Sequence, residues 1–130
     1  MNTDFSLDGE ILLSDLHNKI LKISKEYVDI DEANTISDLI IEAEKMNVPT
    51  HGLHYFVHSV YPLLIQGYNK FKIEDNNNFI YSSGTGGSLG FQNLINCLNL
   101  CSKKAGKLGI GLVSIKNPGK VGALRVYCPK

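Results

Sequence analysis

The spacing of apolar residues changes near residue 67, and this change constrains the fold more than any other feature of the sequence. Before it, apolar residues recur every three or four positions, which predicts helices over residues 14–27, 31–46 and 50–66. After it, short apolar runs flank a single long helix. Helices followed by strand, helix and strand are typical of an α/β protein. We therefore predict a helical portion over residues 1–67 and a partial α/β portion over residues 68–130.

Polar residues, prolines and glycines predict where the three helices of the first portion begin and end. Asp31 is in a position to cap the second helix, and Pro49 ends it, because the residue before a proline leaves the helical region. Pro62 is expected to kink or interrupt the third helix, and Gly67 to end it.

The second portion is predicted to contain short strands around a helix over residues 89–106. Within residues 68–81, Phe71 and Ile73 alternate with lysines, and a short strand is predicted at 79–81. A second strand is predicted at 109–115, with turns at 76–78 and 117–120, and residues 121–128 form a last apolar segment. A glycine-rich run over residues 84–90 opens the helix. Backbone amides at a helix start can hold an anion, but the run lacks the Lys-Ser/Thr ending of a phosphate loop, which favours a plain flexible turn.

Composition and charge exclude several classes of protein. The 130 residues include 13 Lys+Arg and 13 Asp+Glu, so the formal net charge is zero, which argues against binding to nucleic acid or another polyanion. No apolar stretch approaches the roughly 20 residues of a membrane span, and residues 1–10 do not resemble a signal peptide. Cys97 and Cys101 are predicted to form a buried, reduced pair on one helix face, and with Cys128 the number is odd. We expect a cytoplasmic protein.

Histidines and one turn are the candidates for chemistry. His51, His54 and His58 recur at helical spacing, but three ligands on one straight helix rarely converge on a metal ion, so hydrogen-bonded or solvated histidines are favoured and no metal is predicted. His51 differs from the other two because it follows a proline-marked break and should lie at a helix start, facing a cleft. Residues 117–122 follow a buried strand, where ligands commonly bind in open α/β sheets, although the hexapeptide alone is only a turn.

These segments together resemble one family of enzymes. Thr50-His51-Gly52, preceded by the helix with residues 39–44, resembles the Ser-His-Gly segment of the malate/L-lactate dehydrogenase family that is unrelated to the Rossmann-type enzymes. The family also includes ureidoglycolate, sulfolactate and diketogulonate dehydrogenases and cyclic imino acid reductases. Residues 109–113 followed by Lys116-Asn117 resemble its strand and Asn-x-Asn-His-Phe/Tyr-Gly turn. The resemblance covers roughly residues 12–122, the N-terminal portion of a family member.

The resemblance implies a fold, a reaction and a set of site residues. It implies a truncated version of the family fold, with a helical N-terminal portion followed by a small mixed sheet and a packed helix. It also implies NAD- or NADP-dependent hydride transfer between a 2-oxo acid or cyclic imino acid and its reduced form. His51 would serve both catalysis and cofactor binding, with Thr50 beside it in the catalytic group, and Asn117 and Gly122 would bind the cofactor.

Two positions depart from the family pattern. The family's arginine, which pairs with the substrate carboxylate, falls on Tyr55, and tyrosine offers one neutral hydrogen bond in place of a charged fork. The family's acid/base histidine falls on Lys120, and an ammonium donates a proton readily only where its surroundings make it more acidic. We therefore expect Tyr55 to bind substrate and Lys120 to act in catalysis. The alternative is a catalytically degenerate binding or scaffold subunit that pairs with another chain. A homodimer or a complementary chain is expected as partner, because an exposed strand and zero net charge leave apolar surface to cover.

Overall fold

The helical portion of the computed structural model begins with an antiparallel pair of helices. The structure describes residues 11–67, 71–77, 79–84 and 89–128. Helix α1 (Leu13–Ser24) and helix α2 (Ile30–Lys45) pack together through residues spaced three and four apart. The cap of α2 is Asp29 and not Asp31, since the Asp29 carboxylate accepts a hydrogen bond of 2.9 Å from the Glu32 amide.

The predicted third helix is a succession of short helical turns. A 3₁₀ turn at Pro49–His51 leads into one α-helical turn, α3 (Leu53–Tyr55), then a π-helical turn at Phe56–Val60 and helix α4 (Tyr61–Gln66). Pro62 lies in the first turn of α4, directly after the π turn, so the irregularity precedes the proline. Gly67 ends the segment with a positive φ of 72°, a conformation that favours glycine.

The second portion contains a three-stranded mixed sheet and one long helix. Strands β1 (Lys72–Asp75) and β2 (Ile80–Ser83) are antiparallel, and β3 (Val113–Lys116) pairs parallel to β2 with Ile80 opposite Val113. Helix α5 (Phe91–Leu108) connects β2 to β3 and ends at Gly109. This arrangement confirms the predicted α/β class and the mixed sheet. A 3₁₀ turn at Leu124–Tyr127 replaces the regular apolar element expected near the C-terminal end.

One apolar cluster and one buried hydrogen bond hold these elements together. The main cluster draws on α1, α2, the segment after Gly52 and the start of α5; its members are Leu16, Ile20, Ile36, Ile40, Ile41, Phe56, Val60, Leu64, Leu89 and Phe91. Burying each large apolar side chain contributes about 1.5–3 kcal/mol before entropy is counted. A second, polar contact joins the sheet to α5, because the Ser82 hydroxyl donates to Asn93 Oδ1 at 2.6 Å with both residues buried. The division at residue 67 stays a prediction.

Candidate functional site

His51 lies at the end of the 3₁₀ turn, directly after the break that the sequence marks. Asn47 takes a positive φ of 54°, which redirects the chain from α2, and Pro49 then starts the turn. The His51 side chain is half-buried, and its Nδ1 lies 3.1 Å from the Thr50 hydroxyl oxygen. No residue in the described part of the chain hydrogen-bonds Nε2. Thr50 thus orients an imidazole whose other nitrogen is free for a ligand.

A carboxylate on α2 holds the turn that carries His51. Glu44 Oε1 accepts a hydrogen bond of 2.6 Å from the Leu53 amide, and the Glu44 side chain lies against the Cα of Gly52. A Cβ at position 52 would overlap this carboxylate, so a larger residue there would force the Glu44 side chain to move. The sequence analysis missed the role of Glu44. The feature that could have indicated it is Gly52, which follows His51 directly and lies one turn beyond a helix rich in carboxylates.

Tyr55 connects His51 to the turn that follows β3. Its ring centroid lies 5.6 Å from that of His51 and 6.2 Å from that of Phe91. Burial raises the pKa of the Tyr55 hydroxyl, and a hydrogen bond with the Gly122 backbone partly opposes this shift. Because the hydroxyl already has a backbone partner, we interpret Tyr55 first as an uncharged residue that connects the two segments.

The turn after β3 folds back onto the start of α5. Asn117 and Gly122 adopt positive φ values of 49° and 70°. The Lys120 carbonyl accepts a 2.7 Å hydrogen bond from the Gly90 amide, and Lys120 pairs with Leu89 in a parallel bridge. A Cβ on Gly122 would lie 2.9 Å from Phe91 Cε1, so this glycine permits the close packing.

Tyr127 fixes the same turn from the other side. Its hydroxyl donates to the Val121 carbonyl at 2.6 Å. Burial, and secondly the proximity of Tyr55, raises the pKa of Tyr127. Two half-buried tyrosines therefore bracket the Val121-Gly122 peptide, which neither periodicity nor motif spacing had indicated.

The structure brings together some of the predicted site residues and not others. Thr50, His51, Tyr55 and Gly122 form one chain of contacts. The side chains of Asn117 and Lys120 are exposed, and only the backbone of Lys120 is tied to this region, through Gly90. The described contacts include none between Lys120 and His51. The grouping of these two residues at one catalytic site stays a prediction.

The other candidates lie apart from this cluster. His54 and His58 are exposed and stack with ring centroids 4.4 Å apart, while His51 faces Tyr55. Within the described ranges, no three His, Cys, Asp or Glu residues are placed to hold a metal ion. Residues 85–88 of the glycine-rich run lie outside the described residues. The three cysteines are free. Cys97 is buried as predicted, whereas Cys101 is only half-buried.

The clefts of the surface lie away from this cluster. Clefts of about 470, 300 and 370 Å³ lie beside Tyr27, Leu108 and His17 respectively, and no predicted site residue lines any of the three clefts. No helix among the described residues has both the length and the apolar character to cross a membrane.

The fold is similar to segments of two kinds of dehydrogenase. Malate dehydrogenase from Entamoeba histolytica matches with a TM-score of 0.82 at 20% identity, over 92% of this chain and 34% of that protein. Malate dehydrogenase from Pyrococcus horikoshii OT3 gives 0.81 at 22% identity, over 92% and 35%. Sulfolactate dehydrogenase from Methanocaldococcus jannaschii gives 0.69 at 21% identity, over 79% and 31%.

These similarities confirm at the level of fold the resemblance drawn from the sequence. The chain has the fold of one segment of these dehydrogenases and spans about a third of the length of each. Comparison of the sequence with family models and with curated proteins gave no match.

Proposed function

We propose that this chain forms part of the site of an NAD- or NADP-dependent oxidoreductase acting on a 2-oxo/2-hydroxy acid or a cyclic imino acid. The observation that carries the proposal is His51: Thr50 orients its ring, its Nε2 is free among the described residues, and it lies in a fold shared with malate and sulfolactate dehydrogenases. An oriented imidazole with a free nitrogen can hydrogen-bond a substrate oxygen or the amide of a nicotinamide.

In this proposal, His51 and Asn117 contact the nicotinamide end of the cofactor. Among the described residues, neither His51 Nε2 nor the exposed side-chain amide of Asn117 has a hydrogen-bond partner, whereas the space beside Gly122 is filled by Phe91, so Gly122 would act through its backbone. When bound, the cofactor supplies or accepts a hydride. In this proposal His51 holds the reacting oxygen and Lys120, whose ammonium is exposed, moves a proton to or from it.

Tyr55 gives the site its distinctive chemistry. A neutral hydroxyl that is half-buried and bonded to the Gly122 backbone offers a substrate carboxylate one weak contact and no charge. This observation favours the second candidate, a non-catalytic binding or scaffold subunit that pairs with another chain.

Cofactor titration separates the two functions. Purified protein is titrated with NADH and NADPH while nicotinamide fluorescence is followed, and a panel of 2-oxo acids and cyclic imino acids is then added. For an enzyme we expect saturable binding and turnover, with His51→Ala weakening cofactor binding about tenfold, because about 1.4 kcal/mol is lost with a hydrogen bond of this kind.

The matched control is His54→Ala, which removes an exposed imidazole three residues away and should leave both signals unchanged. Absence of binding at millimolar concentrations of either cofactor would contradict catalysis by this chain alone and support the scaffold function. If both alanine variants weakened cofactor binding equally, His51 would not be part of the cofactor site.

A further inference from the structure

The zero net charge of this chain conceals a separation of charge along the sequence. Residues 1–75 contain all 13 acidic residues and six of the 13 basic residues, a formal charge of −7. Residues 76–130 contain seven basic residues and no acidic residue, a formal charge of +7. Such asymmetry between the parts of a chain points to an interaction between oppositely charged surfaces.

The positive charge borders an exposed apolar run at the end of α5. Lys103 and Lys107 are exposed, and neither pairs with a carboxylate in the described part of the chain, whereas Lys104 is engaged with Asp75. Leu108, Ile110 and Leu112 follow, with 59%, 64% and 57% of their surfaces exposed. We call these five residues, Lys103, Lys107, Leu108, Ile110 and Leu112, the basic face. Three adjacent apolar side chains this exposed mark an interaction surface.

The turn between α1 and α2 has the opposite charge and also exposes apolar residues. Tyr27 and Ile30 are 42% and 48% exposed, and the exposed carboxylates of Glu26, Asp29 and Asp31 surround them. We call these five residues the acidic face. Lys25 is an exposed cation beside it. The face borders the cleft of about 470 Å³, which is lined in part by Tyr27, Val28 and Leu64.

From these two faces we infer that copies of this chain associate head to tail, the basic face of one copy seating on the acidic face of the next. Residues 76–130 contain no acidic residue, and Asp75, which lines the same cleft as Lys103 and Lys107, is already paired with Lys104. The basic face therefore repels a second basic face, and an interface that pairs this face with itself is disfavoured. The acidic face of another copy supplies carboxylates for Lys103 and Lys107. Its Tyr27 and Ile30, with the adjoining cleft, cover the apolar run. This inference is independent of the proposed oxidoreductase.

Charge reversal on each face, followed by mixing, tests the arrangement. One variant combines Lys103→Glu with Lys107→Glu, and the other combines Glu26→Lys with Asp31→Lys; Asp29 is left intact because it caps α2. Sedimentation velocity should show wild-type association that increases with protein concentration in about 0.01 M salt, where the Debye length is about 30 Å, and weakens as salt is added. Each variant alone should be monomeric, and a mixture of the two should associate, because their faces are again complementary.

Matched controls keep the result specific to the two faces. Lys19→Glu with Lys45→Glu makes the same change in net charge as the Lys103 and Lys107 variant, but outside both faces, and should leave association unchanged. Circular dichroism should show that every variant is folded. A wild-type protein that is monomeric at all concentrations in low salt would overturn the inference. Failure of the mixed variants to associate would overturn it as well, as would equal loss of association in the control.

Discussion

At the scale of single residues, glycines show where the chain passes closest to itself. Gly52 lies against the Glu44 carboxylate, whereas Gly106, inside α5, has no atom near the position of a Cβ. The same substitution should therefore have opposite effects at the two positions. Gly52→Ala forces the carboxylate or the His51 turn to move and should lower the free energy of unfolding by about 1–3 kcal/mol. Gly106→Ala should raise it by about 0.5–1 kcal/mol, since alanine is the better helix former.

Urea denaturation of the two variants measures both effects. A double variant, Gly52→Ala with Glu44→Ala, identifies the cause. Truncating Glu44 removes the overlap along with the 2.6 Å hydrogen bond to Leu53, so the cost of the double substitution should be smaller than the sum of the two single costs. Strict additivity would show that Glu44 is not what constrains position 52.

Some residue-level features could be predicted from the sequence and others could not. The break at Pro49 and the place of His51 directly after it follow from local chemistry, because proline restricts the residue before it. The choice of Asp29 over Asp31 as the cap of α2 depends on where the first helical turn starts, and two carboxylates two positions apart fit the pattern equally well. The contact of Tyr55 with Gly122 joins residues that are far apart in sequence, so the spacing of apolar residues could not predict it.

At the scale of elements, the side chains of α5 are buried near its start and exposed near its end. Cys97 is buried and donates from its Sγ to Asn93 Oδ1 at 3.4 Å. Cys101, one turn later, is half-buried, and its carbonyl lies so close to Gly111 that a Cβ there would overlap it. The predicted helix face is therefore buried at Cys97 and only partly covered at Cys101, where the helix backbone packs against Gly111. The burial of each cysteine therefore determines how fast its thiol reacts.

The three thiols should react with a thiol reagent in the order Cys128, Cys101, Cys97. Cys128 is exposed, and burial raises the pKa of Cys97, which lowers its thiolate fraction, although a hydrogen bond with Ser82 partly opposes the shift. Mass spectrometry of protein quenched at intervals follows each cysteine separately. Cys97 should remain unmodified until denaturant is added. Modification of Cys97 in native protein as fast as that of Cys128 would contradict the packing of α5 on β2.

The regular elements were easier to predict than the irregular ones. Helices α1, α2 and α5 have apolar residues at helical spacing along their whole length, so their existence follows from the sequence. The segment from Pro49 to Gln66 has the same spacing, yet it passes through 3₁₀, α and π turns. Helical spacing does not distinguish these turns, because their periods differ by less than one residue from 3.6.

At the scale of the whole molecule, total charge was a poor guide and distribution of charge a better one. Zero net charge argues against polyanion binding only if the charges are mixed over the surface. Here all the acidic residues precede residue 76, so every charged side chain of α5 and β3 is basic. The separation is visible in the sequence, but its placement next to exposed Leu108, Ile110 and Leu112 needs the folded chain.

Alkaline pH should test how the C-terminal turn is joined to the helical portion. Burial raises the pKa of both Tyr55 and Tyr127 above the ordinary value of 10.0. In the unfolded chain both hydroxyls lose their protons near that value, so between it and the higher folded pKa values the folded state binds more protons. The stability that these two groups contribute is therefore present in full below about pH 10 and is lost as the pH rises through the folded pKa values.

Urea unfolding at successive pH values measures this dependence. The wild-type midpoint should fall steeply above about pH 10, and a variant combining Tyr55→Phe with Tyr127→Phe should show a shallower fall, because it has two fewer buried groups to ionise. The variant also loses the bond to the Val121 carbonyl, at a cost of about 1 kcal/mol that does not depend on pH, so the slope and not the midpoint carries the test. Equal slopes for the two proteins would mean that neither tyrosine is buried against the turn at Gly122, and that the link between His51 and the segment after β3 is not formed in solution.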